Sequence, residues 1–277
     1  MIGMRECRGL EELEACVQLQ IEVWGYADGD VIPRRVFLVA QKIGGQVIGA
    51  FDTGELASAE QGNAASMVGF ALSLPGVKPT GPDGRVASYL HSHMLAVREG
   101  YRNAGIGRRL KLAQREDALR RGITRMEWTF DPLEIKNAFL NIRRLGAIVR
   151  RYEPNFYGSS SSRLQGGLPT DRLVAEWWMD SARVKTRLDG GDALDRAFPA
   201  PDVLAVEEIM VPADVYRWKA EASTRAQAAE VQTRNRERLQ DAFRRGLAVV
   251  DYRVDAGGNG YFLLGKLSGA DAALMAG

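Results

Sequence analysis

The sequence predicts an α/β (α+β) protein in which strands are flanked by helices. Two patterns support this prediction. Short apolar strands alternate with amphipathic helices, and one strand, glycine turn, helix and second strand follow each other at the spacing of a β-α-β crossover. The crossover runs from Leu95–Val97, through a helix that begins near Ile106, to a strand at Arg125–Phe130. Beyond residue 202, a strand, a long helix and a hairpin predict a C-terminal extension.

The composition limits the classes of protein that fit. Of the 277 residues 45% are hydrophobic, which is enough for a sizeable core, and the net charge of +2 argues against a general nucleic-acid binder. No apolar run is long enough to span a membrane, and Met1–Glu6 lacks the apolar core of a signal peptide. Cys7 and Cys16 have no metal-ligand spacing, so we expect reduced, buried thiols in a cytoplasmic protein.

Hydrophobic periodicity defines the elements of the larger part of the chain. Leu10, Leu13, Val17, Ile21 and Trp24 recur at intervals of three and four residues, which is typical of an amphipathic helix. Ile106, Leu110 and Ala113 follow at helical spacing within the crossover. In chain order we predict strands at Ile2–Cys7, Gln46–Asp52, Met67–Leu74, Tyr89–Val97, Thr124–Phe130, Ala147–Tyr152 and Leu173–Met179, helices from Leu10, from Ile106 and at Leu133–Leu145, and loops at Gly54–Ala65 and Pro75–Arg85.

Changes in composition suggest the domain boundaries. Gly190–Gly191 and Pro199–Pro201 lie in a segment whose composition resembles that of a linker. We therefore predict a first domain over residues 1–182, a linker over 183–202 and an extension over 203–277. Within the extension we predict a strand at Val203–Val211, one helix from Pro212 to about Arg245, and a hairpin of Leu247–Val254 and Tyr261–Lys266.

A glycine-punctuated helix start is the main chemical signal. The pattern Arg102-x-x-Gly105-x-Gly107 places residues without side chains where a helix begins. Unpaired backbone N–H groups and the helix dipole favour an anion there, and glycine lets a phosphate approach the backbone. The pattern is neither a Walker loop nor the dinucleotide fingerprint, and by itself it is also compatible with a structural turn.

This segment is similar to the coenzyme A-binding motif of the GNAT acyltransferases, Arg/Gln-x-x-Gly-x-Gly/Ala after the fourth strand. The resemblance implies the GNAT fold, with a mixed central sheet flanked by helices, in a subgroup whose acceptors are mostly unassigned. It also implies acetyl-CoA, or another acyl-CoA, as cosubstrate, no metal, and transfer of the acyl group to the amine of a small molecule such as an amino acid. The similarity continues through Trp128–Pro132, Asn137–Ala147, Tyr152–Gly158 and Leu168–Arg172.

The resemblance also implies the residues that bind the cosubstrate. The backbone of the fourth strand would hold the pantetheine arm and polarise the thioester oxygen, and the glycine turn would bind the pyrophosphate. Asn137 and Asn141 lie four residues apart on one helical face, beside the pantetheine arm. The remaining implied residues are Leu95, Ala96, Val97, Arg102, Asn103, Ala104, Gly105, Ile106, Gly107 and Arg108.

Both histidines of the chain lie in the predicted strand Tyr89–Val97. Two-residue alternation places His91 and His93 on one face with Leu95 and Val97, and either histidine alone is compatible with a hydrogen-bonded core residue. The family's general base precedes the last apolar residue of this strand by six positions, which implies His91 as the base. His93 would orient His91 or act as the base itself. If neither histidine is the base, Glu127 or Asp131 would take that role through a water.

The general acid of the family is absent from its expected position. That tyrosine lies four residues before the terminal glycine of its helix, where this chain has Ile142, which cannot donate a proton. Tyr152 or Tyr157 would then protonate the leaving thiolate, or no acid is used. Asn155, Tyr157 and Arg172 are candidates for acceptor binding, with Arg172 holding a carboxylate. Arg172 is equally compatible with a surface turn residue.

Two other functions remain open at this point. The chain could be a GNAT-fold module that binds coenzyme A without turnover, which the absent tyrosine favours, or an unrelated phosphate-binding α/β protein. We expect acyl-CoA and a small amine-bearing acceptor as partners, and neither nucleic acid nor membrane. The extension, whose helix is unusually polar, would shape the site or form a homodimer.

Overall fold

The computed structural model describes residues 1–26, 29–54, 62–79, 85–158, 165–191 and 205–267. They form two compact units, the first mainly of residues 1–126 and the second mainly of residues 127–277. This division falls inside the predicted first domain. The domain boundaries near residues 182 and 203 stay a prediction, and most of the predicted linker lies outside the described residues.

The first unit is an antiparallel sheet with helices on both faces. Its strand order is β1-β2-β3-β4. Met94 and Ala96 of the last strand pack among residues of the first two helices, and Leu95 and Val97 pack against the third. The elements are β1 (Ile2–Glu6), α1 (Gly9–Trp24), α2 (Arg34–Lys42), β2 (Gln46–Asp52), β3 (Met67–Pro79), β4 (Val86–Val97) and α3 (Ile106–Arg120).

The hairpin of β3 and β4 is longer than predicted. The sequence predicts a loop at 75–85, but β3 continues to Pro79 and β4 begins at Val86, with Pro75 paired to Leu90. Proline is tolerated because β2 pairs with β3 only as far as Ser73, and beyond that residue a proline that lacks an N–H group breaks no bond to β2. Most of the predicted loop at 54–65 lies outside the described residues.

The second unit contains the remaining strands in the order β5-β7-β6-β9-β10-β8. Val149 of β6 pairs with Val249 of β9, so strands of the predicted extension continue the sheet of β6 and β7. The elements are β5 (Arg125–Phe130), α4 (Ile135–Ala138), β6 (Ile148–Glu153), β7 (Arg172–Trp178), α5 (Ala182–Asp189), β8 (Glu207–Val211), α6 (Val215–Ala220), α7 (Arg225–Arg244), β9 (Ala248–Val254) and β10 (Gly260–Gly265).

Three predictions for this unit need correction. The helix predicted at 133–145 is the short α4 followed by a π-helical segment, Phe139–Arg144. The linker predicted at 183–202 begins with α5, whose buried positions include Arg183 and Arg187 in place of an apolar stripe. The single helix predicted from Pro212 to Arg245 is broken after Ala220, without a glycine or proline to signal the break.

The predicted fold class is confirmed, because strands and flanking helices alternate along the chain. The hairpin of β9 and β10 is also found where the sequence places it. No helix within the described ranges is long and apolar enough to cross a lipid bilayer.

Candidate functional site

The glycine turn of the first unit ends at the N-terminus of α3. Asn103 and Gly105 both have left-handed backbone conformations, with φ of 62° and 75°. A Cβ atom built on Gly105 meets nothing within 4 Å, so glycine is favoured there by its conformation, and the space in front of it is open. No side chain within the described residues caps α3, and the first turn of this helix has no acidic residue but contains Arg108 and Arg109. Such a helix start is suited to an anion.

Two side chains anchor the residues before this turn. Arg102 donates from Nε to the carbonyl of Val97 at 3.1 Å, and Tyr101 donates its hydroxyl proton to Asp52 at 2.8 Å. Residues 102–105 are exposed, whereas the side chain of Ile106 is buried. Ile106 could therefore contact a ligand only through its backbone, whereas residues 102–105 are accessible as a whole.

A β-bulge at His93 changes the predicted alternation of β4. Leu72 pairs with Met94 and Ser73 with Ser92, so His93 is the extra residue. The hydroxyl of Ser92 contacts α3, the helix against which Leu95 also packs.

The prediction that His91 shares a face with Leu95 and Val97 is therefore wrong. His91 follows the opposite face from Ser92, the face that Met94 and Ala96 occupy beside α1 and α2. The extra residue shifts the two-residue alternation of side chains by one position, so residues before the bulge lie on the faces opposite to those predicted.

The two histidines remain close together despite the bulge. Their ring centroids are 6.0 Å apart. Burial lowers the pKa of His93 below its usual value, which keeps that imidazole neutral at neutral pH and able to accept a proton.

A buried polar cluster that the sequence did not reveal lies between β4 and α3. Lys111 donates to the hydroxyl of Ser92 at 2.7 Å, and that hydroxyl lies 3.1 Å from the side-chain oxygen of Gln114. Burial lowers the pKa of Lys111 well below its usual value. The cluster fixes the strand segment between the two histidines. In the sequence, Lys111 and Gln114 lie among arginines of a helix, and nothing in their spacing predicts that they are buried.

In the second unit, the helix predicted to flank the pantetheine arm contains an asparagine pair. Asn141 donates to the side-chain oxygen of Asn137 at 3.1 Å. Asn137 is exposed, but Asn141 is buried, so only Asn137 can meet a ligand. Ile142 is fully buried, as its apolar side chain requires.

Tyr152 is a buried residue at the end of β6. Its hydroxyl donates to Asp171 at 2.5 Å, and Asp171 also accepts from Arg236 of α7. Burial and then the Asp171 hydrogen bond raise the pKa of Tyr152, which makes this phenol a weaker acid than a free tyrosine. This geometry does not favour Tyr152 as the general acid.

Tyr157 is the other candidate acid, and it is exposed. Its hydroxyl lies 2.9 Å from the hydroxyl of Thr129 near the end of β5, and the guanidinium of Arg172 lies 5.3 Å from its ring centroid. Arg172 also donates to the carbonyl of Asp171 and, at 3.3 Å, to Gln165. The structure therefore brings Tyr157 and Arg172 together.

Asn155 precedes these residues in a left-handed conformation, with φ of 46°. Its side-chain oxygen accepts from the backbone N–H of Thr170 at 3.2 Å. The side chain of Asn155 thus supports the turn that contains Tyr157.

Both alternative bases are engaged by cations. Glu127 is buried and accepts from Arg151 at 2.9 Å. Asp131 accepts from Lys219 at 2.9 Å and from the backbone N–H of Leu133. Neither carboxylate is placed to take a proton from a substrate without losing an ion pair. Among the described residues no group of three or more His, Cys, Asp or Glu could hold a metal ion.

Solved structures similar to this chain include GNAT acetyltransferases. They include the ribosomal-protein-S18-alanine N-acetyltransferase of Escherichia coli (14% identity, 66% of this chain and 96% of that chain, TM-score 0.47). NAA60 of Arabidopsis thaliana in complex with a bisubstrate analogue is 14% identical over 64% of this chain and 99% of that chain, with a TM-score of 0.46. An aminoglycoside 6'-acetyltransferase type Ii is 16% identical over 64% of this chain and 97% of that chain, with a TM-score of 0.47.

At this level of identity the likeness concerns the fold alone. No protein-family model and no curated protein matches the sequence.

Proposed function

We propose that this protein is an acyl-CoA-dependent N-acyltransferase that transfers an acetyl group from acetyl-CoA to the amine of a small molecule such as an amino acid. The observation that supports this most directly is the start of α3. Its glycine has open space in front of it, its first turn has no acidic residue, and no side chain in the part of the chain that the structure describes caps its N-terminal N–H groups. These features fit the pyrophosphate of coenzyme A.

In this proposal the acyl donor is held by residues of the first unit. The turn from Asn103 to Gly105 and the backbone of Ile106 and Gly107 bind the pyrophosphate. Arg102 and Arg108 supply positive charge nearby. The backbone N–H groups of Leu95–Val97 hold the pantetheine and polarise the thioester oxygen. Of the asparagine pair, the exposed Asn137 is the residue that we propose for contact with the cosubstrate.

The reaction needs one proton acceptor and one proton donor. The amine nitrogen attacks the thioester carbon, the C–N bond forms, and the C–S bond breaks as the tetrahedral intermediate collapses. We assign acceptance of the amine proton to His91 and an orienting role to His93, whose neutral imidazole lies beside it. We assign protonation of the coenzyme A thiolate to Tyr157, because Tyr157 is exposed whereas Tyr152 is buried and donates its hydroxyl proton to Asp171.

The acceptor is proposed to bind at the turn of the second unit. Asn155, Tyr157 and Arg172 are neighbours there, and the guanidinium of Arg172 offers N–H groups to a carboxylate. Free amino acids should therefore be better acceptors than their amides. Equal rates for amino acids and their amides would contradict the proposed contact between Arg172 and the acceptor carboxylate.

Thiol release from acetyl-CoA in the presence of an amine panel tests the proposal. Release that depends on an amine supports the acyltransferase. Binding of coenzyme A without release would support the non-catalytic module, which the buried Ile142 at the family's acid position favours. Absence of both binding and release would overturn both functions.

The assignment of the base is tested separately. We expect His91→Ala to lower kcat by about 10²–10⁴-fold at neutral pH while acyl-CoA binding stays nearly intact. The loss should shrink as the pH approaches the pKa of the amine, because free amine then no longer needs the base. A larger loss in His93→Ala would exchange the two roles. Wild-type turnover in the double variant would exclude both histidines.

A further inference from the structure

A buried carboxylate connects four segments of the second unit. Asp171 is fully buried and accepts from the hydroxyl of Tyr152 at 2.5 Å and from the backbone N–H of Asn155 at 2.9 Å. Arg236 donates two parallel hydrogen bonds to it, from Nε at 2.8 Å and from Nη2 at 3.0 Å. The carboxylate therefore joins the end of β6, the turn that follows, the start of β7 and helix α7.

The residue next to Asp171 holds the same turn through its backbone and hydroxyl group. Thr170 is fully buried, and its carbonyl accepts from the N–H of Phe156 at 2.9 Å. Its hydroxyl accepts from the N–H of Tyr157, also at 2.9 Å. The position of Tyr157 is therefore set by Thr170 and Asp171 together.

Two residues on one face of helix α7 contact the segment Pro169–Asp171, which we call the support of the turn. Gln232 donates to the carbonyl of Pro169 at 3.0 Å, one helical turn before Arg236 reaches Asp171. Of the described residues, Arg236 is the one that forms an ion pair with Asp171. A buried carboxylate without a cation is strongly unfavourable, so the geometry of the turn depends on α7.

We propose that Arg236 is a positioning residue for the acceptor, and that α7 thereby determines which acceptors the protein accepts. This proposal rests on the acyltransferase function proposed above. Phe156 and Tyr157, whose ring centroids are 4.7 Å apart, are the exposed aromatic pair that the support presents. An acceptor with an apolar or aromatic body and an amine fits such a surface.

The kinetic test compares Arg236→Gln and Arg236→Lys with Arg238→Gln. Arg238 lies on the same helix but pairs with Glu207 and the backbone of β8. Its replacement by glutamine removes the same charge as Arg236→Gln. We expect Arg236→Gln to lower kcat/KM for the acceptor by about 10–100-fold, with the KM for acetyl-CoA changed less than about twofold. Arg236→Lys should recover part of this loss, and Arg238→Gln should behave as wild type.

Equal losses in Arg236→Gln and Arg238→Gln, or a loss confined to acetyl-CoA, would overturn the proposal. If Arg236→Gln does not fold, the double variant Asp171→Asn with Arg236→Gln removes both charges, so that no buried carboxylate is left without a cation. It should fold and still show the acceptor defect. Wild-type acceptor kinetics in that variant would also overturn the proposal.

Amide hydrogen exchange gives a readout that does not depend on activity. In Arg236→Gln the N–H groups of Phe156 and Tyr157 should lose protection by about tenfold or more, while those of β7 keep it. Unchanged protection would contradict the positioning role. Lost protection in a protein that binds no coenzyme A and releases no thiol would confirm that Arg236 positions the turn and would reject the acyltransferase function.

Discussion

Two turns contain many of the candidate site residues, and they look alike locally but are held differently. Each combines a left-handed asparagine with a left-handed glycine: Asn103 and Gly105 in the first unit, Asn155 and Gly158 in the second. The first turn is held mainly by nearby backbone groups and by one distant side chain, Asp52, which accepts from Tyr101. The second is held by buried side chains of β7, backed by α7.

This difference has a physical consequence. A turn held by its own backbone conformation tolerates the loss of a neighbouring side chain, whereas a turn built on a buried carboxylate does not. The first turn is thus suited to a ligand whose recognition is by backbone N–H groups. The second is suited to specificity, because its shape can change through residues far away in the sequence.

The largest effect is expected from Asp171→Ala. It removes the carboxylate that Tyr152, Asn155 and Arg236 share, and we expect a loss of about 3 kcal/mol in the free energy of unfolding. Asp52→Ala, at the corresponding aspartate of the first turn, should cost much less because Asp52 is only half-buried. Denaturant unfolding of both variants measures the difference. Equal losses would contradict the comparison.

The two tyrosine–aspartate hydrogen bonds allow a second test. Tyr152→Phe should lower the free energy of unfolding by about 1 kcal/mol, and Tyr101→Phe should have the smaller effect.

The pH dependence of the free energy of unfolding should also differ between Tyr152→Phe and wild type. Burial and Asp171 raise the pKa of Tyr152, so its contribution is complete below about pH 10 and is lost as the pH rises through the raised value. Stability measured from pH 8 to 11 should therefore fall less steeply in Tyr152→Phe than in wild type. An unchanged slope would contradict the burial of this phenol.

The smallest effects are expected from the left-handed asparagines. The side chain of Asn155 accepts a hydrogen bond from the backbone N–H of Thr170, so Asn155→Gly should cost about 1 kcal/mol although glycine suits the backbone conformation. Asn103 is exposed and forms no side-chain hydrogen bond within the described residues, so Asn103→Gly should stay within about 0.5 kcal/mol of wild type. A reversed order would show that the first turn also depends on side chains.

The first turn could be predicted from the sequence because its signals are local. Glycine spacing, an apolar strand before it and an amphipathic helix after it are all visible within some 20 residues of Gly105. The bulge at His93 gave no comparable signal, because a two-residue period cannot reveal an inserted residue. The faces predicted for β4 are therefore wrong on the N-terminal side of the bulge.

The supports of the second turn could not be predicted, because they join residues that are distant in the sequence. Asp171 and Arg236 are 65 positions apart. The same reason explains the missed helix α5, where buried Arg187 pairs with Asp251 instead of presenting an apolar stripe. Charged residues that are buried in pairs resemble surface residues when only periodicity is considered.

Coenzyme A affinity tests the central claim most directly, measured by calorimetry on wild type, Gly105→Glu and Gly122→Glu. Gly105 and Gly122 both have φ of 75° and open space where a Cβ atom would lie, but they are at opposite ends of α3. The two variants therefore carry similar backbone strain and the same added charge. We expect wild type and Gly122→Glu to bind coenzyme A, and Gly105→Glu to lose binding while remaining folded. Wild-type affinity in folded Gly105→Glu would contradict the assignment of this turn to the pyrophosphate.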